Sequence, residues 1–191
     1  MRLIFCTHNI NKCEEISSLF PNSFKIDSLN DIQHHHDIIE SGDTLEDNSL
    51  IKAQEIFKLY KLPCFADDSG LEVEILNGQP GVYSARFAGL EKNDDNNMTK
   101  LLSMLEPFEN RKAAFRTVIT YIDNKGVKQF IGTTQGEITL TKIGNNGFGY
   151  DPIFKPEGSS KTFGEMKMSE KNKFSHRAKA LKKFLDFILL N

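Results

Sequence analysis

Four short segments place polar residues at spacings that could do chemistry. Thr7-His8-Asn9 and Lys12 follow a short apolar run and open a helical pattern. A strand-to-helix turn presents backbone N–H donors, and a lysine one turn inside the helix can reach the same oxyanion, so the segment reads as a phosphate cradle. It reads equally as an Asn-capped helix with an ordinary lysine, and it is not a Walker loop, because GxxxxGK[ST] is absent. Asp67-Asp68-Ser69-Gly70 follows the apolar Cys64-Phe65-Ala66. Two carboxylates at a strand end stand where α/β sheets hold ligands, and their hard oxygens suit Mg²⁺; the same composition also makes a turn. The run Asn145-Asn146-Gly147-Phe148-Gly149-Tyr150-Asp151-Pro152 sets an aromatic ring between glycines with an acceptor three residues on. That is one way to hold a flat nucleobase, or a glycine-rich loop anchored by Phe and Tyr. Glu170-Lys171 and Phe174-Ser175-His176-Arg177 gather two cations and an imidazole. They could neutralise phosphates or pair with a base edge, or face solvent.

Other conspicuous residues carry less. His34-His35-His36 lies in a polar stretch, and consecutive residues on an extended chain point in different directions, so no metal site is expected there. Cys6, Cys13 and Cys64 are odd in number with no CxxC pair, which argues against a disulfide framework or zinc ribbon and for a reducing compartment. Cys13 has no evident histidine partner. The 24 basic and 26 acidic residues leave a formal charge of -2, which argues against broad nucleic-acid binding but permits a basic pocket for a small anion. With 39% apolar and 26% charged residues in 191, one domain or one two-lobed unit is expected. The apolar run in MRLIFCTHN is too short for a signal peptide and FLDFILL too short to span a bilayer. A soluble, cytoplasmic protein without a membrane partner is the expectation.

The elements that must position these groups follow from periodicity. Leu3–Cys6 reads as a buried strand, followed by a helix through Ile16, Leu19 and Phe20 that Pro21 ends. Phe24–Leu29 suits a second strand, and 30–43 a loop. Thr44 caps a helix with Leu50, Ala53, Phe57 and Tyr60 on one stripe. Cys64–Ala66 is a strand running into the Asp-Asp-Ser-Gly segment, and Leu71, Val73 and Ile75 alternate as a further strand. Asp94–Glu106 reads as a helix. Ala113–Asp123 and Val127–Thr133 form a hairpin about Asn124-Lys125-Gly126, and Ile138–Ile143 a further strand. A last helix is expected over Ser169–Leu190. Helices alternating with strands before a hairpin predict an α/β fold with a mixed central sheet flanked by helices. There is no internal repeat, low-complexity tract or linker.

Taken together, THNINKCEE (7–15), ESGDTLEDNSLIKA (40–53), FADDSGLEV (65–73), GQPGVYSARFAG (78–89), NNGFGYDPIF (145–154) and SEKNKFSHRAKAL (169–181) resemble the Ham1-like inosine/xanthosine triphosphate pyrophosphatases. The likeness spans nearly the whole chain, and its specificity lies in the order and spacing of the segments. It implies a single domain over 1–191 with two lobes around a central substrate cleft, commonly a homodimer. It also implies Mg²⁺-dependent hydrolysis of ITP, dITP and XTP to monophosphate and pyrophosphate, which keeps these nucleotides out of DNA and RNA. By the same likeness Thr7, His8, Asn9, Ile10, Asn11 and Lys12 form the triphosphate-side loop. Asp68 is general base and metal-linked carboxylate, Glu40 the second metal carboxylate, and Ser69 an adjacent substrate contact. Phe148, Gly149, Tyr150 and Asp151 match the base-binding segment, and Lys171, His176 and Arg177 the C-terminal substrate contacts. Two departures stand out: His8 where the family typically has Gly, and Asp47-Asn48-Ser49 in place of Glu-Asn-Ala, with Asn48 and Lys52 kept. A Maf-type nucleotide pyrophosphatase and a non-catalytic nucleotide sensor are the alternatives.

Overall fold

A computed structural model describes residues 1–190. Its elements are β1 (Arg2–Phe5), α1 (Ile10–Ser17), β2 (Lys25–Ser28), α2 (Leu45–Tyr60), β3 (Cys64–Val73), α3 (Asp94–Leu105), β4 (Lys112–Asp123), β5 (Gly126–Ile138), β6 (Phe154–Pro156), α4 (Met168–Lys171) and α5 (His176–Leu190). The strands form one six-stranded sheet in the order β2-β1-β3-β4-β5-β6. β1 pairs in parallel with β2 and β3, and β6 is antiparallel to β5, so the sheet is mixed as expected. No helix among the described residues is long and apolar enough to cross a membrane. The chain forms two compact units. The first takes residues 1–68, 117–132 and the described residues from Arg177; the second takes 69–116 and 133–176.

In the first unit, strand alternation sorts side chains onto two helical layers. Leu3, Phe5 and Phe65 pack with Ile16 of α1 and Ala180, Leu181 and Phe184 of α5. Ile4, Cys6, Cys64 and Ala66 pack with Ala53 and Ile56 of α2. The register Ile4↔Cys64 and Phe5↔Phe65 keeps the two sets apart. At the start of β3, odd positions therefore face α1 and α5, and even positions face α2. Both helices begin with side-chain caps: Asn9 accepts from the Lys12 N–H at 3.1 Å and Thr44 from the Asp47 N–H at 3.1 Å. Glu46 and Asp47 add favourable charge in the first turn of α2.

The second unit is built on Leu71, Val73, Leu101, Leu105, Phe115, Ile153, Phe154 and Phe163. One close backbone approach is at Gly70, where an added Cβ would stand 2.5 Å from the Gly81 carbonyl oxygen. Gly70→Ala is expected to cost about 1–3 kcal/mol, the range for overpacking a tight contact. The urea midpoint should fall with the slope unchanged; an unaltered midpoint would mean the two backbone segments can part freely.

Three sequence expectations are corrected. Asp67-Asp68-Ser69-Gly70 is neither a strand end nor a turn, because β3 runs unbroken through it to Val73, and Glu74–Leu76 is a 3₁₀ turn. What ends is its parallel neighbour: β1 stops at Phe5, and the Cys6 N–H gives its bond to the Phe65 carbonyl. The aspartates thus lie just past the carboxyl end of β1. The strand expected over Ile138–Ile143 is the last residue of β5 followed by irregular chain, whose Thr139 and Ile143 N–H groups bond Ile153 and Pro152 carbonyls. The last helix is broken into α4 and α5 around residues 172–175. There the Phe174 carbonyl accepts from the Thr134 hydroxyl, so Lys171 and Arg177 serve different neighbourhoods.

Candidate active site

Alternation along β3 gives the adjacent aspartates different surroundings. Asp67, at an odd position, faces α1 and α5. Its Oδ1 accepts from Lys12 Nζ at 3.0 Å and its Oδ2 from Arg177 Nε at 3.1 Å. Arg177 Nη1 in turn pairs with the Glu15 carboxylate, which completes a row of alternating charges from the α1 lysine inward. Asp67 and Arg177 side chains are 0% and 2% exposed, whereas Lys12 is 15% exposed. Burial alone would lift the Asp67 carboxyl, but Lys12, Arg177 and Lys52 together hold it well below the usual carboxylate range.

Asp68, at an even position, faces α2. Lys52 Nζ lies 2.7 Å from Glu40 Oε1 and 3.3 Å from Asp68 Oδ1, so one ammonium joins the two carboxylates. Burial raises the Asp68 carboxyl above its ordinary value, and Lys52 and Lys12 pull the other way. For Lys52, burial opposes the charge, but Asp68 and Glu40 outweigh it and push its pKa up. Glu40 is held in place by the first turns of α2. Asn48, four residues before Lys52 on the helix, accepts from the Gly42 N–H at 2.8 Å. Gly42 has no room for a side chain, since a Cβ there would be 2.5 Å from Asp47 Cβ. Two oxygen-bearing carboxylates brought within reach of one point fit Mg²⁺, which commonly takes one or two carboxylates and completes its shell with water and phosphate.

The second unit holds the aromatic loop. Asp151 Oδ2 accepts from the Phe148 N–H at 2.9 Å and from Lys171 Nζ at 2.5 Å. Lys171 is also 5.1 Å from the centre of the Phe148 ring, a cation–π contact. The loop depends on Gly147 (φ +75°), where a Cβ would collide with the Asp151 carboxylate. Gly149 donates to Asp94 Oδ2 at 2.6 Å, and the Tyr150 hydroxyl donates to the Ser84 carbonyl at 2.8 Å, so Tyr150 is an anchor. His176, 3% exposed, stacks on Phe115 with ring centres 4.6 Å apart. Ser69 follows Asp68 directly along β3 and is half-buried.

The structure therefore gathers Lys12, Asp68 and Glu40 in the first unit around Asp67 and Lys52, and Phe148, Asp151 and Lys171 in the second. Arg177 lies in the buried charge row with Asp67 and Glu15, not on a solvated face. Thr7 accepts from the Asn9 N–H, and Ile10 and Asn11 are exposed at the start of α1. His8 turns its ring aside: Nδ1 is 3.0 Å from Asn30 Oδ1, and Asn30 Nδ2 donates back to the His8 carbonyl at 3.3 Å. His34, expected in a polar loop, is buried with Nδ1 3.1 Å from the Tyr60 hydroxyl, because α2 supplies a cover the sequence did not suggest. Lys52 and Glu15 form part of the site without a motif in the sequence to mark them. Their signal was position: Lys52 shares a helix face with buried Asn48, Ser49, Ala53 and Ile56, and Glu15 adjoins buried Ile16.

The Ham1 family model matches residues 3–187. A protein of Flavobacterium psychrophilum named dITP/XTP pyrophosphatase is 51% identical over 187 residues, covering 98% of each chain. Another of that name from Flavobacterium johnsoniae is 52% identical over 190 residues, again covering 98% of each. Among solved structures, a HAM1 protein from Coxiella burnetii superposes with a TM-score of 0.91 at 34% identity over 100% of both chains. The Staphylococcus aureus Ham1 protein gives 0.89 at 36% identity over 98% of both. A match across almost the full length, in sequence and in fold, makes this chain a member of the Ham1 family.

Proposed function

We propose that the chain is a nucleoside-triphosphate pyrophosphatase that hydrolyses purine nucleotides outside the standard set, ITP, dITP and XTP, to monophosphate and pyrophosphate. The relatives' shared name supports the substrate class. The observation that carries the chemistry is the pair of adjacent β3 aspartates on opposite faces of the strand: Asp67 is tied to Lys12 and Arg177, and Asp68 shares Lys52 with Glu40, surroundings that drive the first carboxyl down and the second up. Neighbouring acids driven apart in this way divide the roles: one stays ionised to hold cations, the other can exchange a proton. Asp68 orients a water and takes its proton as the oxygen attacks the α-phosphorus. The bond to the β-phosphate breaks and pyrophosphate departs with the electron pair. Lys12 and Lys52 offset charge on the phosphates. Glu40 and Asp68 would hold Mg²⁺, which when bound supplies charge neutralisation at the phosphates.

Purine recognition is assigned to the second unit's loop. Phe148 offers a face for stacking, and a donor matched to the 6-oxo group leaves a buried donor facing the amino group of adenine, a mismatch costly enough to discriminate. Arg177 Nε and Nη1 are engaged by carboxylates, which favours His176 as that donor. Phe148→Ala is expected to raise KM for dITP about tenfold, in line with the 1–3 kcal/mol typical of base stacking, with kcat little changed. A fall in kcat at constant KM would remove the ring from base binding. Family likeness supports a cytoplasmic homodimer with no nucleic-acid partner. The test of the whole reading is turnover of dITP, XTP, ITP, GTP, ATP and dTTP with Mg²⁺ and with EDTA. Mg²⁺-dependent turnover concentrated on the first three is expected; binding without turnover would mark a sensor instead.

A further inference from the structure

Lys52 stands where two functions meet. Its Nζ joins Glu40 Oε1 at 2.7 Å and Asp68 Oδ1 at 3.3 Å, and these two carboxylates are the proposed metal ligands. A Mg²⁺ ion lies about 2.1 Å from a carboxylate oxygen, so one sharing Glu40 Oε1 could be no farther than roughly 4.8 Å from Nζ in its present position (2.7 plus about 2.1). The three side chains are 9%, 29% and 11% exposed for Lys52, Glu40 and Asp68, so water screens such a contact poorly. An ammonium and a dication cannot both keep these oxygens at low cost.

We infer that Lys52 is an exchangeable counter-ion that couples divalent-cation binding to nucleotide binding, an inference that rests on the assignment of Glu40 and Asp68 to the metal. Charge counting gives the direction. Two carboxylates and one ammonium sum to -1, which attracts a dication weakly and repels a triphosphate. Addition of a dication brings the sum to +1, frees the ammonium from its carboxylates, and makes phosphate oxygens its natural partner. Lys52 thus weakens metal binding when no nucleotide is present and strengthens nucleotide binding once metal is there. Lys12 differs, because its own carboxylate partner, Asp67, lies on the other face of β3 and keeps Arg177 as a second cation. A purely structural lysine would make the opposite prediction: its removal would loosen Glu40 and weaken the metal.

The test is calorimetric titration of the full chain with Mg²⁺ alone, without nucleotide, on the wild type, Lys52→Met, Lys52→Gln and Glu40→Gln, each checked for folding by circular dichroism. Lys52→Met is expected to bind Mg²⁺ at least tenfold more tightly than the wild type. Lys52→Gln, which keeps an amide to bond Glu40, should shift the same way if the methionine variant does not fold. Unchanged or weaker Mg²⁺ binding in a folded Lys52 variant overturns the coupling, provided Glu40→Gln loses affinity. Undiminished binding in Glu40→Gln overturns the metal assignment itself, and the coupling with it.

Discussion

Asp68→Asn is expected to lower kcat for dITP by about 10²–10⁴-fold, the contribution typical of a positioned general base, while the protein remains folded. Asn keeps the shape of the side chain and an acceptor for Lys52, so the β3 strand and its packing on α2 have no reason to change. The burial that lifts the Asp68 carboxyl above its ordinary value makes it a stronger base than an exposed aspartate, and Lys52 and Lys12 limit the rise. Steady-state kinetics with a melting curve separate the possibilities. Near-normal kcat in a folded variant would remove Asp68 from the role, and a lost melting transition would point to a structural one.

Arg177→Met carries the largest expected effect on stability. The guanidinium is 2% exposed and joins Asp67 to Glu15, and removing it takes from two buried carboxylates the cation they share, leaving Lys12 to offset Asp67 alone among the paired cations. The loss should be about 3–5 kcal/mol, or a fall in Tm of roughly 6–20 °C for a domain of this size. Its pH dependence has a definite sign. Asp67 is depressed in the folded chain, so the stability it contributes is complete above the unfolded value of about 3.9 and is lost as pH falls toward the folded one. The wild type should therefore weaken in acid more steeply than the variant. A change below about 1 kcal/mol, the range for exposed ion pairs, would mean that the guanidinium faces water or ligand and that the buried row does not exist in solution.

The contrast between Asp67 and Asp68 also shows what the sequence could and could not express. Both residues, the apolar strand before them and the capped helices α1 and α2 were legible, because apolar periodicity and capping residues act over a few positions. The composition of Asp-Asp-Ser-Gly suits a strand end or a turn; the strand continues because salt bridges to Lys12, Arg177 and Lys52 satisfy its carboxylates, and those partners lie up to 110 residues away. The single final helix that the spacing predicts fails for a similar reason. Residues 169–190 have helical spacing throughout, and the break at 172–175 comes from Thr134 on β5 taking the Phe174 carbonyl. Lys52 looked like one more helix lysine until Glu40 folded onto it from a loop with no periodicity of its own. Family likeness alone points to Glu40, and the physical reason for its place, Asn48 gripping Gly42, exists only in three dimensions.

Attack of water at the α-phosphorus fixes where the solvent oxygen ends up, and an isotopic label reads that position. Hydrolysis of dITP by the purified chain in ¹⁸O-water with Mg²⁺, followed by mass spectrometry of both products, should place one labelled oxygen in dIMP and leave pyrophosphate unlabelled. Label in pyrophosphate, or release of orthophosphate in place of pyrophosphate, would contradict it.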